Sequence, residues 1–259
     1  MKFVIVTRKR LINLGLLAAA CVLVLALSVK AISLAVAASG EKKKLPVYCT
    51  EQQEKKIALS FDAAWGNEDT QILIDTLHQY NAKATFFLVG DWVEKFPDST
   101  KQLFDAGFEI GNHSNKHPHI PNLSAEDIGK EIDLCNQKIE AVTGVRPRVF
   151  RASYGEYCNS LIDELAGREM LCIQWDVDSH DWMDKSADYI VERVTSKVKP
   201  GSICLFHNAA ANTPAALPRI LETLTAQGYE FVTVSDLILW DNYKILHDGK
   251  QVADKSPVA

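Results

Sequence analysis

The sequence has no Cys-x-x-Cys pair, no excess of positive charge and no length to spare for a second large core. Without paired thiolates at that spacing, the usual zinc–thiolate sites are excluded. The net charge of −5, with no Lys/Arg stripe interleaved with aromatics beyond the N-terminus, leaves nothing to neutralise a phosphate backbone, so no nucleic-acid partner is expected. At 259 residues, 47% hydrophobic and 24% charged, the chain suffices for one sizeable domain. Cys49, Cys135, Cys158, Cys172 and Cys204 form an odd set, several within apolar runs, and the expectation is buried free thiols rather than a disulfide framework.

What is present begins with a segment suited to lipid. Lys2, Arg8, Lys9 and Arg10 precede "LINLGLLAAACVLVLALSV", close to the roughly twenty apolar residues that a bilayer helix needs. Because the basic cluster lies on its N-terminal side, the run reads as an uncleaved transmembrane signal-anchor with the rest of the chain outside the cytoplasm. The alternative is a secretory signal cut near Ala37 and release of the domain. "LAAAC" resembles a lipid-attachment site, but the apolar residues continue past Cys21 and argue against it. The expected layout is residues 1–40 as anchor, 41–55 as a charged tether, 56–240 as the folded domain and 241–259 as a tail, in a monomer held at the cell membrane.

From Lys55 onward short apolar runs alternate with longer amphipathic ones, the pattern of βα units around a parallel sheet. Strands are expected at "IALSFD", "ATFFLV", "FEIGNH", "RVFRAS", "LCIQWDVD", "SICLFH" and "YEFVTV", with helices between them. "LSAEDIGKEIDLCNQKIEAVTG" is the clearest helix, with Ser124 placed to cap its start and Gly144 to end it. Seven strands with intervening helices predict an α/β distorted barrel. Asp62, His113, Arg151, Asp178 and His207 each fall at or just beyond the C-terminal end of an expected strand, the rim where such barrels build active sites.

"NHSNKHPHI" places His113 and His117 four residues apart, close enough for one turn to bring both imidazoles toward a single metal ion. Pro118 disfavours helical geometry at His117, so the turn is expected on a loop, with His119 a rim residue rather than a ligand. The run of polar strand ends resembles the polysaccharide deacetylases with a NodB-homology domain, carbohydrate esterase family four. Five motifs match in order: "SFDAAWG", "HSNKH", "FRASYGEY", "WDVDSHDW" and "LFH", within residues 55–239.

That resemblance implies a distorted parallel barrel and a set of roles. Asp62 matches the family's general base, His113 and His117 its two histidine metal ligands, and Arg151 the arginine that orients the base. Tyr154 matches the position whose backbone N–H helps hold the oxyanion, Trp182 the tryptophan packed on the site, His207 the general acid and Asp178 the acid that tunes it. The implied cofactor is a divalent ion, zinc or another transition metal, and the implied substrate a polysaccharide bearing N-acetyl groups. Two departures stand out. Ala63 occupies the place of a second aspartate that ligates the metal, leaving Asp62, Glu68 or Asp69 to complete the shell, and "RASYG" replaces two prolines, which predicts a less rigid oxyanion loop.

The chemistry has its own logic. Amide hydrolysis needs an activated water, a stabilised oxyanion and a proton for a strongly basic leaving amine. A carboxylate beside an arginine stays ionised and accepts a proton, whereas an imidazole paired with an aspartate can deliver one. The expectation is an N-deacetylase. Two alternatives stay open: a non-catalytic glycan-binding relative that lost metal chemistry with the second aspartate, and a metal-independent hydrolase of another linear or cyclic amide.

Overall fold

A computed structural model describes residues 42–255; the apolar segment expected to be the anchor lies outside the described residues. Among those described, no helix is long and apolar enough to cross a membrane. In chain order the elements are β1 (Cys49–Thr50), β2 (Lys56–Ala63), α1 (Thr70–Gln79), β3 (Thr85–Leu88), α2 (Gly90–Lys95), α3 (Pro97–Asp105), β4 (Glu109–Asn112), α4 (Ala125–Thr143) and β5 (Val149–Phe150). They continue with α5 (Asn159–Ala166), β6 (Leu171–Cys172), β7 (Val177–Asp178), α6 (Ala187–Thr195), β8 (Ile203–His207), α7 (Thr213–Ala226), β9 (Glu230–Val232), α8 (Val234–Leu237), β10 (Tyr243–Ile245) and β11 (Lys250–Ala253).

The main sheet runs β6-β5-β4-β3-β2-β8-β7, with β9 paired to the start of β2, and all its pairings are parallel. β2 is buried on both faces, as its mainly apolar run, interrupted by Ser60, leads one to expect of a central parallel strand. Ile57, Leu59, Phe61 and Ala63 pack outward against the helical layer, while Ala58 joins Phe87, Val149, Ile173 and Ile203 inside the curl. Phe61 stacks between Phe86 and Phe206 at 4.9 and 5.3 Å, tying the three central strands together. The α4 caps follow the sequence: Ser124 Oγ accepts the Asp127 N–H at 3.1 Å, and Gly144 closes the helix at φ 75°.

Two expectations about the architecture are corrected. "LCIQWDVD" forms two strands on opposite edges of the sheet, β6 and β7, because the chain changes partners between them. The N–H groups of Ile173, Gln174 and Asp176 go in turn to the carbonyls of Phe150, Val47 and Ile203. The Asp176 carboxylate reinforces the switch by accepting the Ile203 N–H at 2.9 Å. One continuous segment thus joins the two edges of the curled sheet.

The tether and tail are also structured. β1 pairs with β11, which pairs with β10, so residues 49–50 and 243–253 form one small sheet. Val47 and Cys49 are buried, and the Gln251 side chain spans the Leu239 N–H and carbonyl at 2.8 and 2.7 Å. Gly201, at φ 85°, carries the close approach: a Cβ there would lie 2.0 Å from the Thr50 carbonyl oxygen. The five cysteines among the described residues are free thiols, all buried except the half-buried Cys158.

Candidate active site

The C-terminal ends of β2, β4, β5, β7 and β8 deliver the expected rim residues to one cleft of roughly 390 Å³, lined by Asp62, His113, His117, Tyr154, Asp178, Trp182 and His207 among others. Arg151 lies beneath it, fully buried. Asp62 and His207 are register partners on the adjacent strands β2 and β8, which fixes the two groups side by side.

Asp62 Oδ1 accepts Arg151 Nη1–H at 2.8 Å. Arg151 Nη2 donates to Ser60 Oγ at 2.8 Å and the Gln174 carbonyl at 3.2 Å, and the guanidinium lies 4.2 Å from the Phe87 ring centre. A cation so anchored has one orientation. Burial works against the Asp62 charge, yet the Arg151 charge, helped by His113 and His207, holds the carboxyl below its ordinary pKa. It is a carboxylate with Oδ2 turned toward His113 Nε2, 3.5 Å away.

His113 Nδ1–H donates to the Arg151 carbonyl at 2.8 Å, so the lone pair resides on Nε2. His117 adopts φ 57° on a loop, as Pro118 implies, and its N–H donates to Ser114 Oγ at 3.0 Å. Ser114 Oγ in turn meets Ser153 Oγ at 3.0 Å. The replacement of proline by Ser153 therefore does not leave a loose loop: the buried hydroxyl ties the third motif to the histidine turn. Glu131 adds a brace, its carboxylate accepting the Asn115 and Lys116 N–H groups at 2.9 and 2.8 Å. Burial lowers the pKa of both imidazoles, that of His117 to about 4 with His113 adding to the effect, which favours the neutral form that a metal ligand needs.

Neutral imidazoles with ring centres 4.9 Å apart suit a borderline divalent cation. Among the described residues, however, no group of three or more His, Cys, Asp or Glu side chains is assembled for a metal. The Ala63 side chain faces the helical layer. Asp69, weighed as a third ligand, instead accepts the Ala209 N–H at 2.9 Å, and neither it nor Glu68 lines the cleft. The donor set fits two-point attachment through His113 and His117, with Asp62 as the nearest carboxylate.

His207 is where the sequence expectation fails. Its partner is Asp181, not Asp178: His207 Nδ1–H and N–H donate to the two Asp181 oxygens at 2.8 Å each, and Thr213 Oγ1 adds a third bond at 2.7 Å. Asp178 instead accepts the His180 N–H at 2.9 Å and stands on the cleft wall. The cause is a left-handed His180, φ 60°, which turns the chain so that Asp181 points inward. Burial opposes the His207 charge, but the Asp181 hydrogen bond and charge prevail and raise its pKa above the ordinary value. Tyr154, at φ 58°, brings its backbone to the cleft, and Trp182 covers the acid side. Sequence reasoning missed Ser60, Ser114 and Thr213; small hydroxyls on strands and turns carry no pattern that marks them.

A curled parallel barrel with paired carboxylate and imidazole at its rim defines a class of hydrolytic α/β domains. Comparison with known proteins narrows it. The family model "Polysaccharide deacetylase" matches residues 50–170. A peptidoglycan-N-acetylglucosamine deacetylase of Bacillus cereus is 37% identical over 191 residues, covering 71% of this chain and 89% of that protein. PdaC of Bacillus subtilis, a peptidoglycan-N-acetylmuramic acid deacetylase, is 35% identical over 72% of this chain and 39% of its own length. A CE4 family pseudoenzyme from Bacillus anthracis shares the fold at a TM-score of 0.72 and 33% identity, covering 76% of this chain and 69% of that one. A mutant of that pseudoenzyme has restored enzymatic activity. The chain belongs to the polysaccharide deacetylase family. It spans 60% or less of the first curated relatives it matches.

Proposed function

We propose that the chain is a hydrolase that removes N-acetyl groups from amino sugars of a glycan, peptidoglycan or a chitin-like polymer. The observation that carries this is the pairing of Asp62 with His207: two groups in register on neighbouring strands, the carboxyl's pKa lowered and the imidazole's raised, and both open to one cleft. Asp62, kept ionised and aimed by Arg151, takes the proton of a water facing the acetamide carbon. His207, its pKa raised by Asp181, gives a proton to the departing sugar nitrogen from Nε2, since Nδ1 is engaged. The backbone N–H at Tyr154 contributes to oxyanion stabilisation. Bound to His113 and His117, a divalent cation would supply Lewis-acid polarisation and a more acidic water. The reading includes an N-terminal signal-anchor that holds the domain outside the cytoplasm at the cell membrane, the chain acting as a monomer.

The second reading, a glycan-binding pseudoenzyme, is favoured by the alanine at position 63 and by the likeness to the Bacillus anthracis pseudoenzyme. Asp62→Asn and His207→Ala separate the two. Under the enzyme reading each lowers turnover of an N-acetylated glycan by a factor of about 10² or more while leaving binding nearly intact. Wild-type acetate release no greater than that of Asp62→Asn favours the binding module.

A further inference from the structure

His207 owes its aspartate partner to a turn that its own backbone does not favour. Residues 179–184 include two left-handed residues that are not glycine, His180 at φ 60° and Asp184 at φ 51°, a conformation that side chains rarely adopt unless their surroundings hold it. The strand leading into the turn gives little support, since β7 has two residues and lies at the edge of the sheet, paired only with β8. Within the turn, Asp178 Oδ1 accepts the His180 N–H at 2.9 Å and Ser179 Oγ accepts the Asp181 N–H at 3.2 Å. The Asp181 carboxylate fastens the buried side to His207 and Thr213. The half-buried His180 is held by α6.

Tyr189 and Arg193 stand four residues apart on that helix, so their side chains leave the same face one turn apart. Arg193 Nε–H donates to the Asp178 carbonyl at 2.6 Å, and Nη2–H donates to His180 Nε2 at 2.7 Å. A guanidinium has only donors, so Nε2 carries the lone pair and the ring proton sits on Nδ1, where Tyr189 Oη accepts it at 3.1 Å. The His180 ring is thus gripped at both nitrogens from one helix, and the fork of Arg193 spans residues 178 and 180 of the turn. Neither Tyr189 nor Arg193 lines the cleft, so neither is placed to touch a substrate there.

We propose that Arg193, with Tyr189 beside it, is a positioning residue for the general acid: by clamping the His180 ring it keeps the turn in the form that aims Asp181 at His207, and so sets the direction in which His207 Nε2 offers its proton. The inference rests on the N-deacetylase reading and deepens it by naming what holds the acid in line. The competing role is structural, the same bonds serving only to dock α6 against the edge of the sheet. That role predicts a less stable fold whose Asp181–His207 bond is unchanged.

The test reads the His207 Nδ1–H proton by NMR in the full chain labelled with ¹⁵N-histidine, the signal being assigned by its loss in His207→Ala, beside acetate release from an N-acetylglucosamine tetramer. In the wild type the bond to Asp181 should hold this proton downfield and slow its exchange with water. Arg193→Ala should move it upfield and speed its exchange, and should lower kcat by about tenfold or more with KM little changed, the mark of a proton donor held out of line. Arg193→Lys, which keeps the charge but has no fork to span two acceptors, should restore only part of either. His180→Phe removes both ring nitrogens at little change in size, and should reproduce the Arg193→Ala result; it decides the matter if Arg193→Ala does not fold. A His207 signal unchanged in these variants, beside an active wild type, overturns the clamp alone, whether or not the unfolding midpoint falls. Full recovery by Arg193→Lys also overturns it, since charge alone would then suffice. If the wild type releases no acetate, the deacetylase reading has failed and the catalytic task of the clamp with it.

Discussion

Asp178 and Asp181 stand three positions apart in one motif, and a single backbone conformation decides which of them serves His207. With His180 left-handed, Asp181 turns inward to receive two bonds from His207 and one from Thr213, and Asp178 faces the cleft. A raised His207 pKa keeps the imidazolium present to higher pH, so the alkaline limb of the kcat/KM profile should lie above the ordinary histidine value. Asp181→Asn should shift that limb to lower pH and reduce turnover; Asp178→Asn, acting only through a more distant charge, should shift it less. A larger shift from Asp178→Asn would reverse the assignment. Asp62, His113, Arg151 and His207 were legible in the sequence because strand periodicity alone marks where a strand ends and its last side chain meets the rim. Asp181 was not, because no periodicity records a left-handed residue within a short turn.

At the scale of elements, β2 concentrates the fold's dependence on packing. It is buried on both faces, places Asp62 at its end, and is joined to β3 and β8 through the Phe61 stack. Phe61→Ala should cost about 3–5 kcal/mol, read from the shift in the urea unfolding midpoint. A loss under 1 kcal/mol would show that the stack is not a keystone. The longer helices and strands were readable because each carries two or more turns of period or a mainly apolar run; α2 and α8, six and four residues long, were not. β1 was not, and β6 and β7 were read as one strand: each has two residues, and each is defined by distant partners rather than by its own pattern. The same holds for "LPVYCT", residues 45–50, where the charged run around residues 51–56 masks the burial of Val47 and Cys49 beside it.

The whole domain keeps the family's curled parallel barrel while altering the rim at one place. With alanine at position 63 and no three-ligand group among the described residues, His113 and His117 are the two residues that would hold a cation. Around them runs a hydrogen-bond frame: Arg151 on Asp62, Asp181 on His207, Ser114 and Ser153 across the two loops. A frame of this kind preorganises charge where hydrolysis needs it, which supports catalysis over a relic. The five ordered motifs revealed the family and most of the rim; the closing of the sheet by residues 173–176 and the docking of both ends of the domain emerge only from pairings between remote segments.

The most direct test is acetate release by the purified domain from an N-acetylglucosamine tetramer, with a divalent cation supplied and then chelated, beside Asp62→Asn as the blank. The account predicts release that depends on Asp62, rises with the cation and falls with the chelator. Release no greater than the blank with zinc, cobalt or nickel supplied would contradict it.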